Sequence, residues 1–267
     1  KLYDELIEPE ILTFYRFLLG ATLLGLYLIV TKRLSRDLLF KPWRYLILGG
    51  IYSIYFVFMF IALRYTSTIS TSAIFALMPF ATLILESMIF NKKSHSLIWL
   101  ALCISSVGAL YIVFDGSLIN ALNFKLDFGE LIFLIGTIVY SSYALVQPRL
   151  NFGENLLITT FGVLTAGTLI LAMSIIIQCI DFTPTKISIG IVFLIIYLAI
   201  FASIGTILCL NFASSRIPGT NVMAYSLLIP FWVLMFETFT KDSFAPGYTY
   251  VGIIPIGFGL LILYRNS

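Results

Sequence analysis

The sequence predicts an all-α membrane protein made of two five-helix halves that form an inverted repeat. Three observations lead to this fold class. The chain is 60% apolar and 11% charged, with a mean hydropathy of +1.03, and a soluble domain of 267 residues cannot bury so much apolar surface. Apolar runs of membrane-spanning length follow one another along the chain. A pattern of proline, glutamate and glycine recurs after 151 residues.

Nine apolar runs are long enough to cross a bilayer as helices, and charged residues and helix breakers separate them. The connections are short, so we expect consecutive spans to be antiparallel neighbours with no soluble domain between them. The runs lie near residues 11–31, 44–63, 71–90, 97–114, 129–147, 156–180, 188–210, 222–239 and 248–264.

The repeat is most visible in the third run, where a proline and a glutamate are both costly inside hydrocarbon. Both residues recur 151 positions later, and a glycine pair shares the same offset. Each proline is expected to kink its helix, and the glycines indicate close helix packing. The matched positions are Pro79 with Pro230, Glu86 with Glu237, and Gly108 with Gly259.

The run at 129–147 maps, at this offset, onto positions before Lys1. We therefore expect that the first helix of a ten-helix protein is absent from this chain. The predicted repeats cover residues 1–120, with helices 2 to 5, and residues 121–267, with helices 6 to 10. Because each half has an odd number of spans, two sequential halves must lie in opposite orientations in the membrane.

The distribution of basic residues predicts the orientation. With the N-terminus of the intact protein in the cytoplasm, ten Lys and Arg residues fall in cytoplasmic segments and five in outer segments. This asymmetry fits the positive-inside rule, and most of it comes from the loop Lys32–Arg44. The second half of the chain is nearly balanced, so the orientation depends on the first half.

The residue types in this sequence argue against nucleic-acid binding, metal binding and catalysis. The basic residues are scattered, which argues against nucleic-acid binding. His95 is the only histidine, and Cys103, Cys179 and Cys209 lack metal-ligand spacing. An enzyme would need a nucleophile–base pair or a metal cluster, which this residue set does not offer. We therefore expect no catalytic residue, no metal and no cofactor.

Three stretches resemble one transporter family. Residues 62–74, running on to 78–80, resemble the junction between the third and fourth helices of the drug/metabolite transporter (DMT) superfamily, EamA type. Residues 10–21, with Arg16, look like the family's second helix, and residues 129–144 look like the helix that opens its second repeat. The resemblance implies a ten-helix carrier that moves small organic solutes across a bacterial inner membrane, often outward.

Aromatic residues inside several runs are predicted to converge on one cavity near the membrane midplane, where they would hold an amphipathic solute. The alternative is that tyrosines near span ends anchor the protein at the interface, while Phe and Met pack between helices. The candidates for substrate binding are Tyr52, Tyr55, Phe75, Met78, Tyr140, Tyr143, Tyr197, Tyr225 and Trp232.

Prolines and charged residues within the runs are candidates for gating. The charges lie near span ends, where they act either as structural anchors or as gate and substrate contacts. The family often ends its fourth helix with a glutamate, whereas this chain has Asn91 there and Asp242 at the twin position. The gating candidates are Arg16, Pro79, Glu86, Pro230 and Glu237.

These features favour a secondary transporter that moves a small organic metabolite, an amino acid or a related compound, across the bacterial inner membrane by alternating access, with export as the expected direction. One alternative is an importer or exchanger of a larger cationic or nucleoside-like metabolite such as S-adenosylmethionine. A channel or passive pore is the alternative of another class, although no filter is visible. The expected partners are the small-molecule substrate and the lipid bilayer, without nucleic acid, and we expect a monomer or homodimer.

Overall fold

A computed structural model describes residues 9–33, 41–91, 95–177, 189–241 and 247–265, and this part of the chain is helical and contains no strand. Irregular helical turns interrupt it at Leu198–Gly205, Tyr225–Leu228 and Gly247–Gly252. The α-helices are α1 (Pro9–Val30), α2 (Trp43–Ala62), α3 (Thr68–Phe75), α4 (Met78–Phe90), α5 (Ser96–Val113), α6 (Leu118–Leu122), α7 (Phe128–Leu150), α8 (Leu156–Ile177), α9 (Ile189–Tyr197), α10 (Thr206–Ser214), α11 (Gly219–Ala224), α12 (Ile229–Lys241) and α13 (Ile253–Arg265).

Nine helical segments of the described residues are long and apolar enough to cross a membrane, which confirms the predicted all-α membrane fold. Their bounds fall within a few residues of the predicted runs. The short helix α6 was not predicted, because its five residues lie in a polar connection. The loop Lys32–Arg44 is described at its two ends, while Cys179 and Asp242 lie outside the described residues.

Local capping explains several residues that separate the spans. The Ser67 hydroxyl caps α3 by accepting from the Ser70 amide at 3.1 Å. His95 caps α5 in the same way, because its Nδ1 accepts from the Leu97 amide at 3.3 Å. Asn91 ends α4 with a φ of 54°, a left-handed conformation that asparagine tolerates well. The histidine and the asparagine thus have local structural roles.

Both proline-containing spans are broken where the sequence predicts a kink. Pro79 and Pro230 are each the second residue of a helix, α4 and α12, and the preceding segment ends a few residues earlier. The break before α4 falls at Ala76 and Leu77, while a 3₁₀ turn precedes α12. Proline has no amide hydrogen to continue the preceding helix, so the break follows from its chemistry.

The chain packs as two compact units. Unit 1 contains Lys1–Phe60 and Val146–Arg216, and unit 2 contains Ile61–Leu145 and Ile217–Ser267. Each unit therefore combines helices from both halves of the sequence. Because packing units are not sequence repeats, the predicted repeat boundaries remain a prediction.

In unit 2, α5 packs against α13, its counterpart at the 151-residue offset. A Cβ on Gly108 would lie 2.5 Å from the Gly252 carbonyl oxygen, and a Cβ on Gly259 would overlap the Ala101 carbonyl. The 151-residue offset relates the two contacts, because it places Gly108 on Gly259 and Ala101 on Gly252. Between them, the Ser105 hydroxyl donates to the Ile256 carbonyl at 3.3 Å, across a separation of 151 residues.

This contact pattern fixes the relative direction of the two helices. Position 108 meets 252 while position 101 meets 259, so the residue numbers rise along one helix as they fall along the other. The two counterparts are therefore antiparallel and cross near Ser105. Antiparallel counterparts are what an inverted repeat requires, and the predicted close packing of the glycines is confirmed.

Unit 1 repeats the arrangement with α1 and α8. A Cβ on Gly25 would lie 2.8 Å from the Phe161 ring, and a Cβ on Gly167 would lie 2.8 Å from the Phe17 ring. The numbering again runs in opposite directions along the two helices. Gly49 of α2 also approaches α8 closely, because a Cβ there would lie 2.7 Å from the Gly167 amide nitrogen. Close packing of small residues thus holds the interior of both units.

Candidate functional site

Arg16 is fully buried in unit 1 and binds a distant helical turn. Its Nε donates to the Ser203 hydroxyl at 3.0 Å, and an Nη donates to the Ala202 carbonyl at 2.9 Å. The guanidinium carbon lies 3.8 Å from the centre of the Phe56 ring, a cation–π contact. These contacts give Arg16 an anchoring role in this conformation, and its role in gating remains a prediction.

The turn that receives Arg16 is π-helical. In a π-helix, hydrogen bonds join residues five apart, and two side chains show the same spacing. The Ser203 hydroxyl donates to the Leu198 carbonyl at 3.1 Å, and the Thr206 hydroxyl donates to the Phe201 carbonyl at 3.1 Å. Single π-helical turns inside α-helices are frequent at functional sites. The sequence carries no periodic signal for such a turn, so it was not predicted.

Two predicted substrate-binding tyrosines of unit 1 lie in an aromatic cluster beside Arg16. Tyr52 is fully buried, stacks on Phe17 with ring centres 5.7 Å apart, and donates to the Ala202 carbonyl at 3.4 Å. Tyr55 and Tyr52 each contact the Phe56 ring edge to face at 4.8 Å. In this conformation, the cluster links Tyr52 to the same carbonyl that Arg16 binds.

Four predicted residues of unit 2 are buried or partly buried. Phe75 is partly buried and contacts Phe133 at 5.1 Å between ring centres. The Met78 side chain is buried, and its carbonyl accepts a hydrogen bond from the Ser141 hydroxyl at 3.3 Å. Tyr143 is fully buried and Tyr140 partly so. The contacts of Phe75 and Met78 connect α7 with the break between α3 and α4.

Three other predicted residues are exposed. Tyr197 is 58% exposed, Tyr225 is 51% exposed and Trp232 is 54% exposed. Tyr197 contacts Phe201 with the two rings tilted, and Trp232 contacts Phe231 edge to face, so these two residues each contact an aromatic neighbour close in sequence. Exposed aromatic faces of this kind can contact either a solute or lipid, and their assignment to the substrate remains a prediction.

Glu86 of unit 2 is partly buried and hydrogen-bonded across helices. Its Oε2 accepts from the Thr220 hydroxyl at 2.6 Å, which joins α4 to the start of α11. The side chain of Glu237 lies outside the described residues. Pro230 lines a cavity of about 70 Å³ together with Ser72 and Asp115. Two gating candidates thus have described surroundings that include polar groups.

A larger groove of about 490 Å³ lies in unit 1 between α1 and α8, around Gly25, Phe161 and Leu169. Its described lining is apolar apart from threonine hydroxyls. None of the predicted substrate-binding residues is among this lining. The groove therefore lacks the polar groups that would orient a metabolite.

The comparisons with known proteins agree with this architecture. Residues 1–114 match the model of the EamA-like transporter family. Over these residues the chain is similar to EamA-like transporters. The resemblance drawn from residues 10–21 and 62–80 is thereby confirmed, while residues 129–144 lie beyond the matched range and their resemblance stays a prediction.

Two relatives share most of the length of this chain. The uncharacterized transporter YyaM of Bacillus subtilis strain 168 is 24% identical over 257 residues, which cover 95% of this chain and 84% of the relative. An uncharacterized transporter of Archaeoglobus fulgidus is 24% identical over 259 residues, covering 92% and 84%. A solved crystal structure, 15% identical, matches with a TM-score of 0.73 over 96% of this chain and 88% of its own, which supports the fold.

Sequence reasoning missed several buried polar contacts of this transporter. In unit 1, Arg44 pairs with Glu154 at 2.6 Å, and the Ser214 hydroxyl lies 2.9 Å from Gln147 Oε1. In unit 2, the Thr66 hydroxyl donates to the buried carboxylate of Glu130. The partners are more than 60 residues apart in each case, so no local pattern links them.

Proposed function

We propose that this protein is an EamA-like secondary carrier that moves a small organic metabolite across the cytoplasmic membrane by alternating access. The observation that carries the proposal is the antiparallel crossing of α5 and α13 at Ser105 and Ile256. An inverted repeat provides two halves of similar structure that can exchange conformations. A carrier uses this exchange to open a site first to one side of the membrane and then to the other.

The helix breaks before Pro79 and Pro230 support the same mechanism. A broken span can bend at its break while both of its halves remain helical, because proline does not hold the preceding turn by an amide hydrogen bond. The Glu86–Thr220 hydrogen bond joins the second half of one broken span to the first half of the other. We propose that this contact breaks and re-forms during the transport cycle.

We propose an amino acid or a related metabolite as the substrate, and export as the direction. In unit 2, the exposed rings of Tyr225 and Trp232 can stack on an apolar side chain. The hydroxyl of Tyr225 can bind the polar end of the solute. S-adenosylmethionine or a similar cationic metabolite is the second candidate, because the partly buried carboxylate of Glu86 would complement a positive charge.

The proposal is tested by screening the purified full-length protein for ligand-induced thermal stabilisation. The panel contains the proteinogenic L-amino acids, their decarboxylated amines and S-adenosylmethionine. Stabilisation that saturates with an amino acid, followed by uptake of the same compound into proteoliposomes, supports the first candidate. Stabilisation and uptake of S-adenosylmethionine alone would replace it with the second. Uptake that rises linearly with concentration, without saturation, would contradict a carrier and favour a pore.

A further inference from the structure

One end of unit 1 concentrates exposed basic residues. This end contains the C-terminal ends of α1, α7 and α10 and the N-terminal ends of α2 and α8. Its exposed cations are within four residues of a helix end. We call this surface the basic end and define it by Lys32, Arg33, Lys41, Arg149 and Arg216.

Described contacts bring these chain segments together. Arg44, at the start of α2, donates from Nη1 to the Leu150 carbonyl at 3.0 Å and pairs with Glu154 at 2.6 Å. The hydrogen bond between Ser214 and Gln147, at 2.9 Å, joins the end of α10 to the end of α7. The basic end is therefore one packed surface and not a set of separate loops.

The charge of this surface remains positive after its ion pair is counted. The described residues contribute six cations, the five of the basic end and Arg44, and one anion, Glu154, so the net charge is 6 − 1 = +5. Arg44 is fully buried and Glu154 nearly so, and they neutralise each other below the surface. In the sequence between Arg33 and Lys41, Arg36 and Asp37 cancel.

Exposed aromatic residues place the basic end at the depth of the lipid headgroups. Trp43 is 47% exposed and Phe152 is 58% exposed. The Lys41 ammonium lies 5.0 Å from the centre of the Phe152 ring, and the Arg44 guanidinium lies 4.7 Å from it. Tryptophan beside a span end is typical of the membrane–water interface. Cations at this depth are within reach of lipid phosphates.

We propose that the basic end of unit 1 binds the headgroups of anionic phospholipids. The phosphate carries the complementary charge, and the acyl chains would lie along the apolar flanks of α1 and α2. A nucleic acid or an acidic protein would have to avoid the bilayer that adjoins these span ends. The inference goes beyond solute transport and holds whichever metabolite the protein moves.

The test measures lipid binding to the purified full-length protein in detergent by native mass spectrometry, with phosphatidylglycerol and phosphatidylcholine as probes. Wild type should bind phosphatidylglycerol more tightly. A Lys41→Gln/Arg216→Gln variant should bind it about 25-fold more weakly, since each cation near a membrane surface contributes about fivefold. Its affinity for phosphatidylcholine should not change. Equal affinity of the variant and wild type for phosphatidylglycerol would overturn the proposal.

A matched control removes two exposed cations beside the far ends of α2 and α7, two helices whose other ends belong to the basic end. Arg64 follows the far end of α2, and Lys125 precedes the far end of α7. Arg64→Gln/Lys125→Gln should leave phosphatidylglycerol binding unchanged, and an equal loss in this control would overturn the assignment to the basic end. Inorganic phosphate should not displace the lipid, and displacement would show a free-phosphate site instead.

A measurement on wild type alone covers the case in which the variant does not fold. Raising NaCl from about 0.1 to 1 M shortens the screening length from about 10 to 3 Å. Phosphatidylglycerol binding should then fall towards that of phosphatidylcholine. Binding that keeps its preference for phosphatidylglycerol at the higher salt concentration would contradict an electrostatic headgroup site.

Discussion

At the scale of single residues, the Arg44–Glu154 pair is the clearest stabilising contact that sequence reasoning did not find. Both side chains are buried, and Arg44 also donates to the carbonyls of Lys41 and Leu150. The additional hydrogen bonds offset the cost of removing the guanidinium from water. Glu154 is the acidic partner in this arrangement, so its loss would leave a buried cation without its ion pair.

We predict that Glu154→Gln lowers the free energy of unfolding by about 3 kcal/mol, because removing one partner of a buried pair leaves the other charge uncompensated. Thermal unfolding of the purified protein measures the effect. Asp127→Asn is the control, because Asp127 is exposed and should change stability little. A fall of the same size in both variants would argue against a special role for the pair.

Trp232 tests the predicted substrate contacts at the same scale. Because the ring is 54% exposed, Trp232→Ala should leave the protein abundant in the membrane while lowering transport of the metabolite identified by the thermal screen. Loss of one stacking contact is expected to reduce apparent affinity about tenfold. Trp99→Ala is the control, since Trp99 is also exposed but was not predicted to bind solute. Equal transport by wild type and both variants would remove Trp232 from the site.

At the scale of helices, the 151-residue offset made the fold predictable. Apolar length located the spans, and the matched glycines indicated where the counterparts α5 and α13 pack closely. The sequence could not indicate that a π-helical turn binds Arg16, because the two lie on spans that are far apart in the chain. The buried polar pairs escaped prediction for the same reason.

Gly259 and Gly257 give a direct test of the helix crossing, since they lie two residues apart on α13. A Cβ at Gly259 would overlap the Ser105 hydroxyl and the Ala101 carbonyl, whereas a Cβ at Gly257 meets nothing within 4 Å. We predict that Gly259→Ala destabilises the protein by about 1–3 kcal/mol. Gly257→Ala should be tolerated. Thermal unfolding measures the stability of both variants. Equal stability of Gly259→Ala and Gly257→Ala would contradict the close crossing of α5 and α13.

At the scale of the whole molecule, charge asymmetry predicts that the basic end faces the cytoplasm. In a cysteine-free background, Phe152→Cys should resist an impermeant maleimide in intact cells, because residue 152 lies beside this end. Leu122→Cys, in α6 on the opposite side of the predicted topology, should be labelled rapidly. The reverse labelling pattern would invert the orientation of every span.

The substrate could not be predicted from the sequence as sharply as the fold was. Span length is set by the thickness of the bilayer and by the rise per residue of a helix, and the inverted repeat appears in the sequence as a fixed offset, so both can be predicted without knowledge of side-chain contacts. Solute specificity depends on a few side chains whose exposure varies, as the contrast between the buried Tyr52 and the exposed Tyr197 illustrates. Tyrosine spacing alone does not distinguish these two environments.

Counterflow in proteoliposomes tests the central claim that this protein is an alternating-access carrier. Vesicles are loaded with an excess of the unlabelled metabolite, and a trace of the labelled compound is added outside. A carrier should concentrate the label transiently inside, because returning unlabelled solute keeps reorienting the site towards the outside. A pore would let the label rise only to equal concentration. Absence of transient accumulation for a metabolite that the protein does transport would contradict the account.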